Sequence, residues 1–181
     1  MSLAPDNAVA HLCQGIVQIH TNRASQGIRE FERALELDRN LANAHAQIGA
    51  AKILLGQAED AEAHIQEALH LSPRDTLVYL WCMFAGWAKF YLGKEEEAVA
   101  WLRRSIETNR NFPMSHFFLA AALALVGRLL EARSEVRAGL TMDPTFTISR
   151  IRASASSDNP AAIAGGERVI DGLRKAGVPE Q

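Results

Sequence analysis

Few residues of this sequence are placed to do chemistry. Glu67-Ala-Leu-His70 sets a carboxylate and an imidazole three residues apart, with His64 close by. On a helix that spacing puts both side chains on one face. A di-iron centre built this way needs a second Glu-x-x-His pair and two further carboxylates from facing helices. The sequence holds one such pair, so no metal is expected. His11-x-Cys13 sends its side chains to different sides of a helix, and zinc needs three or four converging ligands. Gly93-Lys94 is not a phosphate loop: Ala88 and Glu95 stand where a Walker motif needs Gly and Ser or Thr. Lys94-Glu95-Glu96-Glu97 reads instead as a helix start, where carboxylates meet the positive end of the dipole. Ala164-Gly165-Gly166 is too short for a dinucleotide fingerprint and should weaken the helix around it. There is no Gly-x-Ser-x-Gly, paired-acid or Cys–His arrangement. The chain is therefore expected to carry no catalytic residue, cofactor or metal, any enzymatic domain lying upstream.

Composition narrows the classes further. Of the 181 residues 48% are apolar, too many for a disordered chain. A formal net charge of −2 gives no bulk attraction to nucleic acid or anionic membrane. No apolar run approaches the ~18 residues of a membrane-spanning helix. No basic-then-apolar segment follows Met1. Cys13 and Cys82, far apart in sequence, fit reduced thiols of a cytoplasmic protein.

What positions the remaining side chains is a repeat. Gly15, Gly49, Gly86 and Ala120 fill a small site, and Asn22, Gly56, Gly93 and Gly127 follow seven residues later. Gly27, Ala61, Ala98 and Ala132 come next, then bulky Phe31, Ile65, Leu102 and Val136. Ala34, Ala68, Ser105 and Gly139 close each unit. The period is 34 residues, broken once by Thr76-Leu77-Val78. Two antiparallel helices approach closely only where side chains are small, so each unit reads as helix A, turn, helix B. In the second unit helix A spans about 42–55, Gly56-Gln57 makes the turn, and helix B runs to about His70. Pro73 and Pro144 end helix B in two units.

This order of small and large sites resembles the tetratricopeptide (TPR) family. The resemblance implies an all-α, right-handed solenoid of four repeats at 8–41, 42–75, 79–112 and 113–146, with an insertion at 76–78. The sequence departs from the family where it favours aromatics. His11, His45, Cys82 and His116 stand where Trp is common, and Gln18, Lys52, Lys89 and Leu123 where Tyr is common. Arg39 and Arg110 replace the closing Pro. The apolar run Leu77, Val78 and Leu80 favours an insertion that extends the third helix A.

Both ends carry expectations. Leu3-Ala4-Pro5-Asp6-Asn7 has the form of a repeat's closing segment, so residues 1–7 read as an added start and the tail of a truncated upstream repeat. After Phe146 the period stops, and 147–181 reads as a polar linker and a capping helix. That helix has Asp158 or Asn159 as N-cap, Pro160 in its first turn and Gly177 as its stop. The ending from Glu167 to Glu180, above all Gly172-Leu173-Arg174-Lys175-Ala176-Gly177-Val178-Pro179-Glu180, resembles the C-terminal TPR module of bacterial class III adenylate/guanylate cyclases and related TPR-bearing regulators. That likeness implies a regulatory or oligomerisation domain of a larger signalling enzyme.

In TPR proteins the second, fifth, ninth and twelfth positions of helix A line the concave groove. Carried over, they give an apolar set, with Leu12, Ile16, Ile53, Met83, Trp87, Phe90 and Phe117 as the candidate partner-binding residues. Acidic peptide tails would call for Lys, Arg and Asn there, so that mode is excluded. The groove suits a hydrophobic or amphipathic protein segment. Its occupant is an external partner, an upstream domain of the same protein, the chain's own tail or a second copy in a homodimer.

Overall fold

Each unit folds around one left-handed residue. Asn22, Gly56, Gly93 and Gly127 all have positive φ, at 58°, 75°, 69° and 82°. Beyond Gly56, the Gln57 amide reaches back to the Lys52 carbonyl at 2.8 Å, while Gly56 N–H bonds Ile53 at 3.0 Å. This pair of bonds is the Schellman closure that satisfies the last carbonyls of a helix and reverses the chain. Gly93-Lys94 and Gly127-Arg128 repeat it. The computed structural model describes residues 7–154 and 157–181. The segment Leu3 to Asp6, read above as the close of an upstream repeat, lies outside the described residues. Asn7 is described and caps the first helix, its side chain accepting from Val9 and Ala10 N–H.

The turns separate four helix pairs: α1 (Ala8–His20) with α2 (Ala24–Leu37), α3 (Ala42–Leu54) with α4 (Ala58–Leu71), α5 (Val78–Tyr91) with α6 (Glu95–Thr108), and α7 (Pro113–Leu125) with α8 (Leu129–Met142). Two more follow, α9 (Ile148–Ala153) and α10 (Pro160–Ala176). The described residues are otherwise turns and links, so the fold is an all-α solenoid with a C-terminal helical cap. Within each pair the small site admits the bulky one. A Cβ built on Gly15 would lie 2.3 Å from the Phe31 ring, and one on Gly86 2.6 Å from Leu102. Phe31, Ile65 and Leu102 are fully buried as a result.

The inserted residues mostly lengthen the link before α5. Asp75 accepts the Leu77 N–H on its side chain at 2.9 Å, a local turn that competes with an earlier helix start. Helix α5 therefore begins at Val78, which is buried, with Leu77 half-buried in the link.

The tail folds back over the helix A row. Asn159 caps α10, its side chain accepting from Ala161 and Ala162 N–H, and Gly177 ends the helix at φ 94°. Helix α10 packs along α7, touches α8 and reaches α5. Small residues make this approach possible: Ala162, Gly165, Gly172 and Ala176 are all buried. Gly165 lies against the Tyr91 ring and Gly172 against the backbone of Ala121. The C-terminus is tied down where the Ile148 and Ser149 amides donate to the carbonyls of Pro179 and Glu180. Phe146 stacks on Phe117, ring centroids 3.7 Å apart and planes 9° from parallel.

Candidate functional site

Between the helix A row and the tail lies a cavity of about 580 Å³. Its floor comes from Ile16 and Ile19 of α1, Ala50 of α3, and Met83 and Trp87 of α5. Its roof is Ile151 of α9 with Ile163 and Ile170 of α10. The polar residues of its lining are few: His20, Gln47, Arg152, Ser154, Ser157 and Glu167. Arg152 and Glu167 pair with each other at 2.8 Å, joining α9 to α10. Apolar walls with a few oriented polar groups, in a volume of a few hundred Å³, are the hallmarks of a binding site rather than a packing defect.

Trp87 is the largest side chain of the floor. It meets Tyr91 edge-on at 5.6 Å and leans on Phe118 at 6.3 Å, so its ring is held in one orientation. The Tyr91 hydroxyl is shifted above the ordinary phenol pKa by burial under α10. Across from it the tail is pinned by polar bonds to the first three units. Ser157 donates to the Leu54 carbonyl, and Asn22 donates to Asp158 at 2.6 Å. Arg168 pairs with Glu95.

Three of the seven groove residues read from the sequence face this cavity: Ile16, Met83 and Trp87. The other four do not. Leu12 is buried in the packing of α1 against its neighbours, and Ile53 and Phe90 are fully buried at the ends of their helices. Phe117 lies beneath Phe146 and against Gly139. Leu12 and Phe117 at the fifth position, and Ile53 and Phe90 at the twelfth, are covered by neighbouring helices or the tail, whereas Met83 and Ile19 at the same two positions reach the cavity. The cavity also takes residues one step further round, such as Gln47, Phe84 and Phe118 at the sixth position. The signal available for these was the run of apolar residues on several sides of α5 and α7, broader than one groove needs.

Four of the six histidines lie between the two helices of one repeat. His11 Nδ1 lies 2.7 Å from Glu30, and His116 Nδ1 lies 2.7 Å from Glu135. These are the same two positions of the first and fourth units. In the second unit they are His45 and His64, stacked with ring centroids 6.2 Å apart, and in the third Cys82 and Trp101. The Glu135 hydrogen bond raises the His116 pKa. Burial, and then the charges of Lys52 and His45, lower that of His64. Among the described residues no three His, Cys, Asp or Glu side chains converge on a point that could hold a metal. No described helix is long and apolar enough to cross a membrane.

A family model for the tetratricopeptide repeat matches residues 80–112, the α5–α6 pair. Solved structures match across most of the chain. YrrB, a TPR protein with an unusual peptide-binding site, is 22% identical over 94% of this chain and 85% of its own, with a TM-score of 0.60. PilW, a widely conserved type IV pilus biogenesis factor, is 19% identical over 93% and 76%, with a TM-score of 0.72. The O-GlcNAc transferase of Thermobaculum terrenum is 17% identical over 75% of this chain and 27% of its own, with a TM-score of 0.65. Among curated proteins none matches the sequence. At these identities the likeness is one of fold, and that fold is the TPR solenoid.

Proposed function

We propose that this chain is a non-catalytic protein–protein interaction module that receives a hydrophobic or amphipathic segment of a partner in the cavity under α10. The cavity itself carries the reading: about 580 Å³, floored by Ile16, Ala50, Met83 and Trp87 and roofed by the tail. Its apolar lining, with Met83 and Trp87 as anchors, suits the hydrophobic side chains of such a segment. The unusual peptide-binding site of YrrB supports peptide capture as a use of this fold.

The test is peptide display against the intact chain, followed by titration of the selected peptides. The expected winners carry apolar anchor residues. Ile163→Glu, which sets a charge on the cavity roof at a residue 49% exposed, should weaken them about tenfold or more, as the loss of a central anchor contact does. Circular dichroism and melting should stay unchanged. Unaltered affinity in that variant overturns the proposal.

A second reading makes the array a regulatory or oligomerisation domain of a larger cytoplasmic signalling enzyme, a class III nucleotidyl cyclase. Its support is the ending from Gly172 to Glu180, which the structure uses to close the concave face. Sequencing the reading frame upstream of Leu3 tests it: a cyclase catalytic domain there supports it, and uninterrupted repeats count against it.

A further inference from the structure

The floor of the cavity holds a buried amide that the fold does not use. Gln47 stands in α3, between α1 and α5 in the helix A row, and is 6% exposed while lining the cavity. Its side chain makes no hydrogen bond to another described residue. The same position is Phe84 in α5 and Phe118 in α7, so the floor itself is served by apolar side chains there. The other polar residues of the lining are engaged or in water. Arg152 and Glu167 pair with each other, Ser154 donates to the Ile151 carbonyl at 2.8 Å, and Ser157 donates to that of Leu54. His20 is exposed. A buried amide without a protein partner is costly, and native folds keep few of them.

We infer that Gln47 binds the main chain of the partner segment, and that the segment lies extended across α3. This rests on the reading of the cavity as a segment site, and adds the conformation in which the segment is held. The chemistry of the amide makes the selection. Gln carries an acceptor oxygen and a donor nitrogen side by side. An extended residue turns its own N–H and C=O to one edge, and two such residues exchange both bonds in an antiparallel ladder. Gln47 takes the place of one of them. A helical segment has no such pair to offer, because the N–H and C=O groups of its interior bond each other. A hydrocarbon ligand has none either, and would leave the amide dry and unpartnered. Ile16 on the α1 side, with Met83 and Trp87 on the α5 side, then receives the side chains that flank the bonded residue.

Two measurements on the full chain test this. Gln47→Met keeps the length of the side chain and removes the amide. A polar group that serves the fold loses stability when it is replaced, whereas one left unpartnered does not, so the melting point should stay equal or rise. A clear fall in melting point overturns the inference. The second measurement is a backbone N-methyl scan of the tightest peptide selected by display. In the wild type one position should lose about tenfold or more in affinity, as a missing hydrogen bond to a buried group does. In Gln47→Met the unmethylated peptide should already bind about tenfold less tightly, and the penalty at that position should vanish. Penalties that are the same in both proteins overturn the inference, and Ile163→Glu shows how far the failure reaches. Where that variant weakens the same peptide, the cavity still binds segments and the role of Gln47 alone falls. Where it does not, the peptide binds elsewhere and both readings fall.

Discussion

Gly172 of α10 rests on the backbone of Ala121 in α7, so closely that a Cβ at Gly172 would lie 2.5 Å from the Ala121 carbonyl oxygen. A main-chain atom in mid-helix cannot move aside as a flexible side chain does. Gly172→Ala should therefore lift α10 from its seat and cost about 1–3 kcal/mol, although alanine is the better helix former. Gly166 provides the opposite case in the same helix, since its nearest neighbour would be the Tyr91 hydroxyl at 3.5 Å. Gly166→Ala should stabilise by about 0.5–1 kcal/mol through the unfolded chain. Urea unfolding of the two variants reads both signs. Equal effects would mean that α10 does not sit this closely on α7.

Core and cavity residues should separate in the same assay. Phe117 is fully buried under Phe146, so Phe117→Ala should cost about 3–5 kcal/mol and lower the melting point steeply. Trp87 is half-buried with one side on the cavity. Trp87→Ala should cost less, about 1–2 kcal/mol, while removing peptide binding. Binding that survives Trp87→Ala would place the partner elsewhere.

The turn glycines and the small-residue lattice were legible because their demands are local. The positive φ of the turn leaves Gly or Asn, and the close contact at Gly49 and its counterparts leaves Gly or Ala. The tail was legible as a helix, with its cap narrowed to Asp158 or Asn159, but its seat was not. Gly165 read as a weakness because the Tyr91 ring that needs its missing Cβ lies far away in sequence. The short helix α9 was folded into a linker, since its six residues are too few to show a period. The groove set mixed two kinds of position because position within a repeat fixes direction but not cover. Ile16 and Trp87 look into open space, whereas Phe117, equally apolar, looks into the tail. Comparing units would have exposed one further relation, the matched His11–Glu30 and His116–Glu135 pairs.

Lys89 joins two units through its ammonium, 2.9 Å from Glu62 of α4 and 2.7 Å from Glu97 of α6. Its side chain is 8% exposed, but the two carboxylates are 41% and 54% exposed. The asymmetry decides which deletion hurts. Lys89→Met leaves carboxylates that water can take up, so it should cost about 1 kcal/mol or less. Replacing Glu62 and Glu97 together by Gln strands a buried cation, and should cost more, about 2–4 kcal/mol. The Glu97 hydrogen bond, followed by that of Glu62, holds the Lys89 pKa above its ordinary value, so the double variant should also let Lys89 lose its proton more readily. Unfolding measured at neutral pH and near pH 10 separates the two, and the deficit of the double variant should shrink as Lys89 becomes neutral.

His116 makes stability depend on pH in a defined direction. Its hydrogen bond to Glu135 at 2.7 Å raises its pKa in the folded state above 6.5, with the Arg110 carbonyl at 3.1 Å helping and burial opposing. The folded chain thus holds this proton more tightly than the unfolded one. The stabilisation is complete below the unfolded value of about 6.5 and disappears as pH rises through the raised folded value. His64 acts in the opposite sense, because burial lowers its pKa and the fold resists its protonation. The two contributions partly cancel in the whole protein, so the wild-type curve alone is a poor test. The difference between wild type and His116→Gln isolates the first. That difference should be largest near pH 5.5 and should fall toward pH 8.5, in thermal melts across the range. A difference that stays flat, or grows with pH, would mean that the imidazole pairs with Glu135 in its neutral form.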